Sequence, residues 1–523
     1  MYCFFELGPI LNPSFYLTLI LVIFIQFNHA SSLANIHNPN VILILADDLG
    51  VETIEAFGGK SYHTPELTKM AGNGRIYPFM HATPLCTPSR NSLLTGKNSI
   101  QNYLGFGYLN PSEKTLGHYF KEMDYQTIIV GKWQLAEQGG MRPKRTGFNE
   151  HFLWNVDHAR RGSRYWNPTI VENSKYHKFK DEFGPDLFLQ KIKSAIHKHK
   201  AEPFFIYYPM VLPHTPFVLT PLQTKSDSSL TKQEKFSKMV EYMDYIVGQI
   251  RTELVNQKLD STTVLIFMGD NGTDRNIVSR YKGRDVHGGK ALTLNSGIRV
   301  PLIIEWNGQI QAGTIDSTLL DISTLFEGII QLSTGFDIKS IASTRTTNEV
   351  DPFVEFDIYS SWLNLDYEYR YNPNEWFFQY FQPLQNNTQL KAFVQNKEYK
   401  LYSDGRFYKM NADPLETIDR QNSLKENIKD FEVHTFLQQK LDQVNSLYSI
   451  NQREDLLGRI YQGPGFSYQN DSIKVWGLPG TKYGFVDLLG RQIYEGSVGN
   501  EGEVSLATHF RVLLNAINNQ AVK

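Results

Sequence analysis

The chain has 523 residues, 41% of them hydrophobic and 20% charged, with a formal net charge of −2. That length accommodates one large α/β domain and one or two smaller units. The near-neutral charge excludes nucleic acid as a general partner, because no basic excess is available to displace counterions from a phosphate backbone.

Taken in chain order, residues 15–27 (FYLTLILVIFIQF) form an apolar run shorter than the roughly 20 residues a membrane-spanning helix needs. The run suits the core of a signal peptide covering residues 1–30, with cleavage after Ala30. No Lys or Arg precedes it and Glu6 does, so a signal anchor is the alternative. Either reading puts the protein in the hands of secretion machinery and places it as secreted, periplasmic or cell-surface.

Residues 40–310 repeat one pattern. Apolar runs at 41–46, 127–130, 204–208 and 263–267 read as buried strands. They lead into Asp47-Asp48, Gly131-Lys132-Trp133, Pro213-His214-Thr215-Pro216 and Gly269-Asp270-Asn271-Gly272 respectively. Helical patterns lie between them at 65–71, 115–123, 186–199 and 231–258. The alternation predicts an α/β fold whose central, mostly parallel sheet carries helices on both faces, over residues 36–345. Such sheets bind ligands at the carboxyl edge, where all these polar groups would collect.

A second unit is expected over 346–450. It opens on an aromatic-rich stretch at 366–381. Short strands follow at 391–395, 399–402 and 407–410, with a hairpin turn at Asp404-Gly405. A helix follows at 424–447, with Asn422 and Ser423 as candidate N-caps. This describes a smaller C-terminal antiparallel sheet with a packing helix. Gly463-Pro464-Gly465 reads as a linker, and 460–523 as a small β-rich unit of short strands.

Two features stand out chemically. The chain has only two cysteines, and Cys3 falls in the expected leader, so Cys86 would have no disulfide partner. It sits in Cys86-Thr87-Pro88-Ser89-Arg90, read as a turn ahead of a short helix at 91–95, which is unlike a core position and suggests a reactive group. Asp47, Asp48, Asp270 and Asn271 are hard oxygen donors. Together they select Ca²⁺ or Mg²⁺ over zinc, with calcium ahead of magnesium. Asn271-Gly272-Thr273 is also a glycosylation sequon, discounted because a strand-end ligand would be buried.

Cys86 to Arg90 followed by Thr95-Gly96 resembles the signature of the formylglycine-dependent sulfatases of the alkaline phosphatase superfamily. The likeness extends in order through Asp47-Asp48, Gly131-Lys132-Trp133, Pro213 to Pro216, Gly269 to Gly272 and Lys290 with Gly297 to Pro301. It continues into Lys400-Leu401-Tyr402 and Asp413-Pro414-Leu415-Glu416, covering roughly residues 38–440. The resemblance implies an alkaline-phosphatase-like fold and a sulfuric ester hydrolase acting on a sulfated carbohydrate. It implies Cys86 oxidised to formylglycine (3-oxoalanine) by a formylglycine-generating or anaerobic sulfatase-maturing enzyme. The hydrated aldehyde would be nucleophile and metal ligand, beside Asp47, Asp48, Asp270 and Asn271. Arg90 would hold the hydrate, Lys132 and Lys290 the sulfate oxygens, and His214, with an unperturbed pKa, would be general acid.

Two departures stand against the family pattern. Gln134 occupies the place of a histidine that helps release sulfate, and it would orient the hydrate without taking its proton. His158 and His287 are the candidate substitutes. Asn295-Ser296 replaces a Glu-Gly pair. Specificity would come from the loops 162–180 and 273–289. A phosphate or phosphonate monoester hydrolase and a non-catalytic sulfated-glycan binder are the other functional readings. The far C-terminus, with Val486-Asp487-Leu488-Leu489-Gly490-Arg491, resembles the sorting domain of Bacteroidetes type IX secretion cargo, the alternative being a plain appended β unit.

Overall fold

The computed structural model describes residues 38–223, 229–334, 376–382 and 391–448, together with five strands between Gly465 and Ser505. A ten-stranded sheet organises the chain. Its strands in chain order are β1 (Asn40–Ala46), β2 (Arg75–Ile76), β3 (Gln126–Lys132), β4 (Glu150–Trp154), β5 (Thr169–Glu172), β6 (Lys175–Lys178), β7 (Phe204–Pro209), β8 (Thr263–Gly269), β9 (Leu302–Glu305) and β10 (Thr314–Ile315). Their spatial order is β10-β2-β9-β8-β1-β7-β3-β4-β5-β6. The five from β8 to β4 run parallel, and β9 and β5 flank them antiparallel. Buried on both faces, β1 is apolar from Val41 to Ala46 without alternation.

Six helices of this part are used below: α1 (Pro65–Asn73), α2 (Cys86–Thr95), α3 (Leu116–Glu122), α4 (Gly184–His199), α5 (Lys232–Asn256) and α6 (Leu325–Thr334). On one face of the sheet Ile42, Ile44, Ile206 and Tyr208 share a core with Leu67 of α1, Ile192 of α4 and Met243 of α5. On the other, Phe205 stacks on Phe120 of α3 at 4.0 Å. Helix α5 starts as its sequence predicts. Thr231 Oγ1 accepts from the Glu234 amide at 3.2 Å while the Glu234 carboxylate accepts from the Thr231 amide at 2.7 Å.

Helix α2 corrects the sequence reading. It begins at Cys86, five residues earlier than expected, and all ten of its residues are buried. Pro88 reads as a turn signal, but in the first helical turn its missing N–H costs nothing, because that donor would have no intrahelical partner. The Thr95-Gly96 pair ends the helix. The Gly96 amide donates to the Ser92 carbonyl at 2.9 Å with φ at +66°. A Cβ there would lie 2.7 Å from Cδ1 of Phe326.

The smaller sheet comprises β11 (Phe377–Phe381), β12 (Lys391–Gln395), β13 (Tyr399–Tyr402) and β14 (Phe407–Lys409), antiparallel in sequence order. Asp404-Gly405 forms the hairpin turn, Gly405 with φ +92°. Leu437, Leu441 and Val444 of α7 (Ile428–Tyr448) pack on Phe378, Tyr380 and Val394. This helix starts four residues later than expected. Asn422 and Ser423 belong to a separate 3₁₀ turn, and the capping oxygen is that of Asn427, which accepts from the Lys429 and Asp430 amides at 3.1 and 3.2 Å. The expected leader, the unit boundaries near 345 and 460, and Asp487 to Arg491 lie outside the described residues.

Gly96→Ala is expected to destabilise the protein by about 1–3 kcal/mol through the left-handed backbone alone, with the Phe326 clash in addition. A lower chemical-denaturation midpoint at unchanged slope checks this. An unchanged midpoint would mean that α2 ends freely.

Candidate active site

Because β8, β1, β7 and β3 are parallel neighbours, their carboxyl ends share one edge, and the loops leaving them converge there. The Asp47 carboxylate is completely buried at the centre. Lys132 Nζ donates to both its oxygens at 2.8 and 2.9 Å. Arg90 Nη2 reaches Oδ1 at 3.4 Å and Arg164 Nη1 reaches Oδ2 at 3.3 Å. Arg90, on the second turn of α2, also grips Asp270 Oδ2 through Nε and Nη2 at 3.3 and 3.0 Å. Lys290 Nζ donates to Asp48 Oδ2 at 2.6 Å and lies 3.0 Å from Nε2 of His214. Cys86 Sγ points at the Gln134 amide oxygen, 3.6 Å away.

The local backbone is bent to make this meeting possible. Asp48, Gln134 and Ala291 adopt positive φ of 67°, 62° and 64°, uncommon for non-glycine residues and located where strand or loop must turn a side chain into the site. His214 is set by its neighbours. The Tyr165 hydroxyl donates to the Val211 carbonyl at 2.7 Å and to that of His214. His214 Nδ1 donates to the Thr215 carbonyl at 2.6 Å, which leaves Nε2 as acceptor facing Lys290.

Burial raises the Asp47 carboxyl, but Lys132, His214, Arg90 and Arg164 outweigh it and hold the group well below the ordinary range. Asp48 is likewise lowered, burial being overcome by His214 and Lys290. Asp270 goes the other way. Burial and the neighbouring Asp47 outweigh Arg90 and push it up to about 7. His214 corrects the sequence reading, since burial lowers its pKa to about 4, with Arg164 and Lys132 adding to the effect against the pull of Asp48 and Asp47. Burial raises the Cys86 thiol, and Cys86, expected to be unlike a core residue, is only 2% exposed.

The oxygen donors Asp47, Asp48, Asp270 and Asn271 suit a hard divalent cation. Asp47, Cys86 and Asp270 bring ligand atoms within 4.8 Å of one another, as do Asp47, Asp48 and His214, the thiol and the imidazole being the softer members. Asn271 donates through Nδ2 to Asp48 Oδ1 at 2.9 Å, while its buried Oδ1 has no hydrogen-bond partner among the described residues. A buried acceptor left over beside carboxylates needs an explanation, and cation ligation supplies one.

The structure thus brings Asp47, Asp48, Cys86, Arg90, Lys132, Gln134, His214, Asp270, Asn271 and Lys290 to one place. It does not bring His158 or His287 there. His158 pairs with Glu137 at 3.0 Å and is exposed, and His287 is exposed on a two-stranded hairpin. Sequence reasoning missed Arg164, which is anchored over the Trp154 ring at 4.1 Å. It also missed a clamp from the smaller sheet. Buried Lys400 donates to the Glu416 carboxylate at 2.6 Å and to the Thr293 carbonyl, and Tyr402 bonds Thr293 Oγ1 at 2.7 Å, fixing the loop after Lys290. Asn295 of that loop accepts from Gln395 at 3.3 Å.

A parallel-centred sheet with a buried acid cluster at its carboxyl edge defines an α/β class of protein whose ligand site lies where these loops meet. The family model described as "Sulfatase" matches residues 39–335, and the chain belongs to the sulfatase family, within the alkaline phosphatase superfamily. Among its relatives, N-acetylgalactosamine-6-sulfatase of Rattus norvegicus is 30% identical over 332 residues, covering 56% of this chain and 62% of the relative. The chain therefore spans less than two thirds of that relative's length. In fold it is similar to a sulfatase from Pseudoalteromonas sp. (TM-score 0.58, 19% identity, 79% of this chain and 93% of that one). It is also similar to a protein solved in complex with its substrate D-glucosamine-2-N,6-O-disulfate (TM-score 0.62, 16% identity, 79% and 99%).

Calcium added to chelator-treated protein is expected to raise the unfolding midpoint, by about 2.7 kcal/mol at a hundred times its dissociation constant. Asn271→Leu should weaken that response. Identical midpoints with chelator and with calcium would show that lysines and arginines alone satisfy the acid cluster.

Proposed function

We propose that the protein hydrolyses sulfate esters of a carbohydrate, with Cys86 matured to formylglycine and calcium held by Asp47, Asp48, Asp270 and Asn271. The observation that carries this reading is the convergence of Arg90, Lys132, Lys290 and His214 on the ligand-short acid cluster around Cys86. Four cationic or proton-bearing groups around one small volume suit a tetrahedral anion, and the family supplies sulfate as that anion. The relative named above, an N-acetylgalactosamine-6-sulfatase, supports a sulfated sugar as the carrier. A bound cation would polarise the ester oxygens and favour the ionised form of the nucleophile.

The chain's own residues supply the rest. Lys132 and Lys290 present ammonium groups that lie against Asp47 and Asp48 and can serve the non-bridging oxygens of an ester. Arg90 keeps Asp270 and Asp47 oriented. His214 presents Nε2 to the leaving oxygen. Because burial keeps it neutral, it protonates an alkoxide only when substrate and the neighbouring carboxylates favour the imidazolium. Gln134 faces Cys86 Sγ and would orient a hydrate there by hydrogen bonding.

Mature protein is expected to give an active-site peptide lighter than the cysteine form by about 18 Da, the thiol-bearing carbon having become an aldehyde. The same preparation should release inorganic sulfate from sulfated sugars. A persistent thiol after co-expression with a maturing enzyme would overturn the mechanism. Faster turnover of every phosphate or phosphonate ester tried than of any sulfate ester would overturn the substrate class.

Gln134→His is backbone-compatible, since histidine tolerates positive φ better than most residues. The pocket is shaped for an amide, so its turnover is expected to stay within tenfold of wild type or to fall. General acid–base help is typically worth about 10²–10⁴ in rate. A steady-state gain of about a hundredfold would therefore mean that the native site lacks a working base. It would favour the glycan-binding reading.

A further inference from the structure

The basic groups of the cluster differ in their access to solvent. The side chains of Arg90 and Lys132 are 1% exposed, whereas Lys290, His214 and Arg164 are 20%, 16% and 13% exposed. An approaching substrate meets these last three first. Lys290 and His214 are committed to Asp48 and to each other. Arg164 shares its one carboxylate partner, Asp47 at 3.3 Å, with Lys132, which holds the same carboxylate at 2.8 and 2.9 Å. The Trp154 ring supports one face of its guanidinium at 4.1 Å, while its side chain stays 13% exposed.

The chain leading to Arg164 runs past the cluster. It starts where the Asn155 carbonyl accepts from the Gln134 amide at 3.0 Å, and returns where Tyr165 bonds the His214 carbonyl. Between these anchors His158, Arg160 and Arg161 are exposed. Asp157 lies 3.8 Å from Arg160 and Glu137 lies 3.0 Å from His158, so part of the charge is answered. Arg161 has only His158 Nδ1 at 3.3 Å and no carboxylate among the described residues. With Asp47 opposite Arg164 the segment has three guanidiniums and three carboxylates, and Arg161 is the guanidinium left without a carboxylate among the described residues.

We propose that residues 158–164 form a second anion subsite. It receives a carboxylate or a further sulfate that the sugar carries beside the scissile sulfate, with Arg164 as the inner contact and Arg161 as the outer one. This rests on the sulfate-ester reading and adds to it that the substrate is polyanionic. Guanidinium forks match either oxyanion bidentately, so the two share one recognition chemistry.

The test uses full-length mature protein and three probes built on one sulfated disaccharide: with a uronic carboxylate, with that carboxylate reduced to the alcohol, and with a second sulfate in its place. Sulfate release is followed by ion chromatography. Wild type is expected to prefer an anion-bearing probe over the reduced one, and the choice between the two anions identifies the natural group. Arg161→Gln and Arg164→Gln should each lower that preference by about 10–100-fold, mainly through KM, as expected for loss of a charge-assisted contact. Arg161→Lys should restore part of it. Equal kcat/KM for anionic and reduced probes in wild type, or a preference that both glutamine variants retain, would overturn the subsite. If no probe releases sulfate, the hydrolase reading fails, and the subsite is judged by calorimetric binding of the same probes. A preference for the anionic probes that Arg161→Gln abolishes supports it, and equal affinities overturn it.

Discussion

The buried Asp47 carboxylate is the constraint around which the molecule is built. Taking such a charge out of water costs several kcal/mol, and only close opposite charge repays it. Lys132 from β3, Arg90 from α2 and Arg164 from the segment after β4 all converge on its two oxygens. Each partner comes from a separate element, so one carboxylate fixes the mutual placement of four pieces of backbone. Removing the Asp47 carboxylate would leave the Lys132 ammonium buried without its counter-charge, a loss typically of about 3–5 kcal/mol. Stability and site geometry are therefore the same problem here. The elevated Asp270, and Asn271 Oδ1 without a partner among the described residues, show where that balance is still incomplete.

The smaller sheet takes part in that geometry. Ala82, just ahead of α2, accepts from Gln379 at 2.7 Å, and the Phe378 carbonyl of β11 accepts from Asn98, just beyond the same helix, at 2.9 Å. Lys400, Glu416 and Tyr402 fix Thr293, three residues past Lys290. A completely buried ammonium ion would be a liability unless its partners were exact in position. Here those partners join the loop of one unit to a strand and a turn of the other. The two sides of the site, nucleophile helix and Lys290 loop, are thus supported from the same sheet.

The strands and the collection of polar groups at their carboxyl ends were readable because buried parallel strands are apolar without alternation, and because parallel order forces their ends to one edge. Asp47, Lys132, His214 and Asp270 could be placed in this way from their chain neighbours alone. Arg164 could not, since it belongs to a loop whose path depends on Trp154 and Tyr165 packing against distant carbonyls. The Lys400 clamp escaped for the same reason, being a contact across more than a hundred residues. Local rules also misled where two of them conflicted. Pro88 signals a turn in general but suits a first helical turn, and Asn422 and Ser423 cap nothing while Asn427 does the capping. The histidine acidity was invisible because desolvation has no sequence signature.

The depth of Cys86 has a consequence in time. It opens a helix that is buried along its whole length, and the surrounding cluster reaches solvent through Lys290, His214, Arg164 and Gln134, each only in part. A small ester can approach past such groups, but a modifying enzyme would have to enclose several residues of backbone around the thiol. On the proposed reading, oxidation of Cys86 by another protein would therefore have to precede closure of the fold. The clamp that supports the Lys290 loop is complete only once Glu416 has been made. That residue lies roughly 330 positions after the cysteine, an interval of about 20–60 s at ordinary rates of synthesis. The order of the elements along the chain would thus leave Cys86 accessible to such an enzyme until its own fold encloses it.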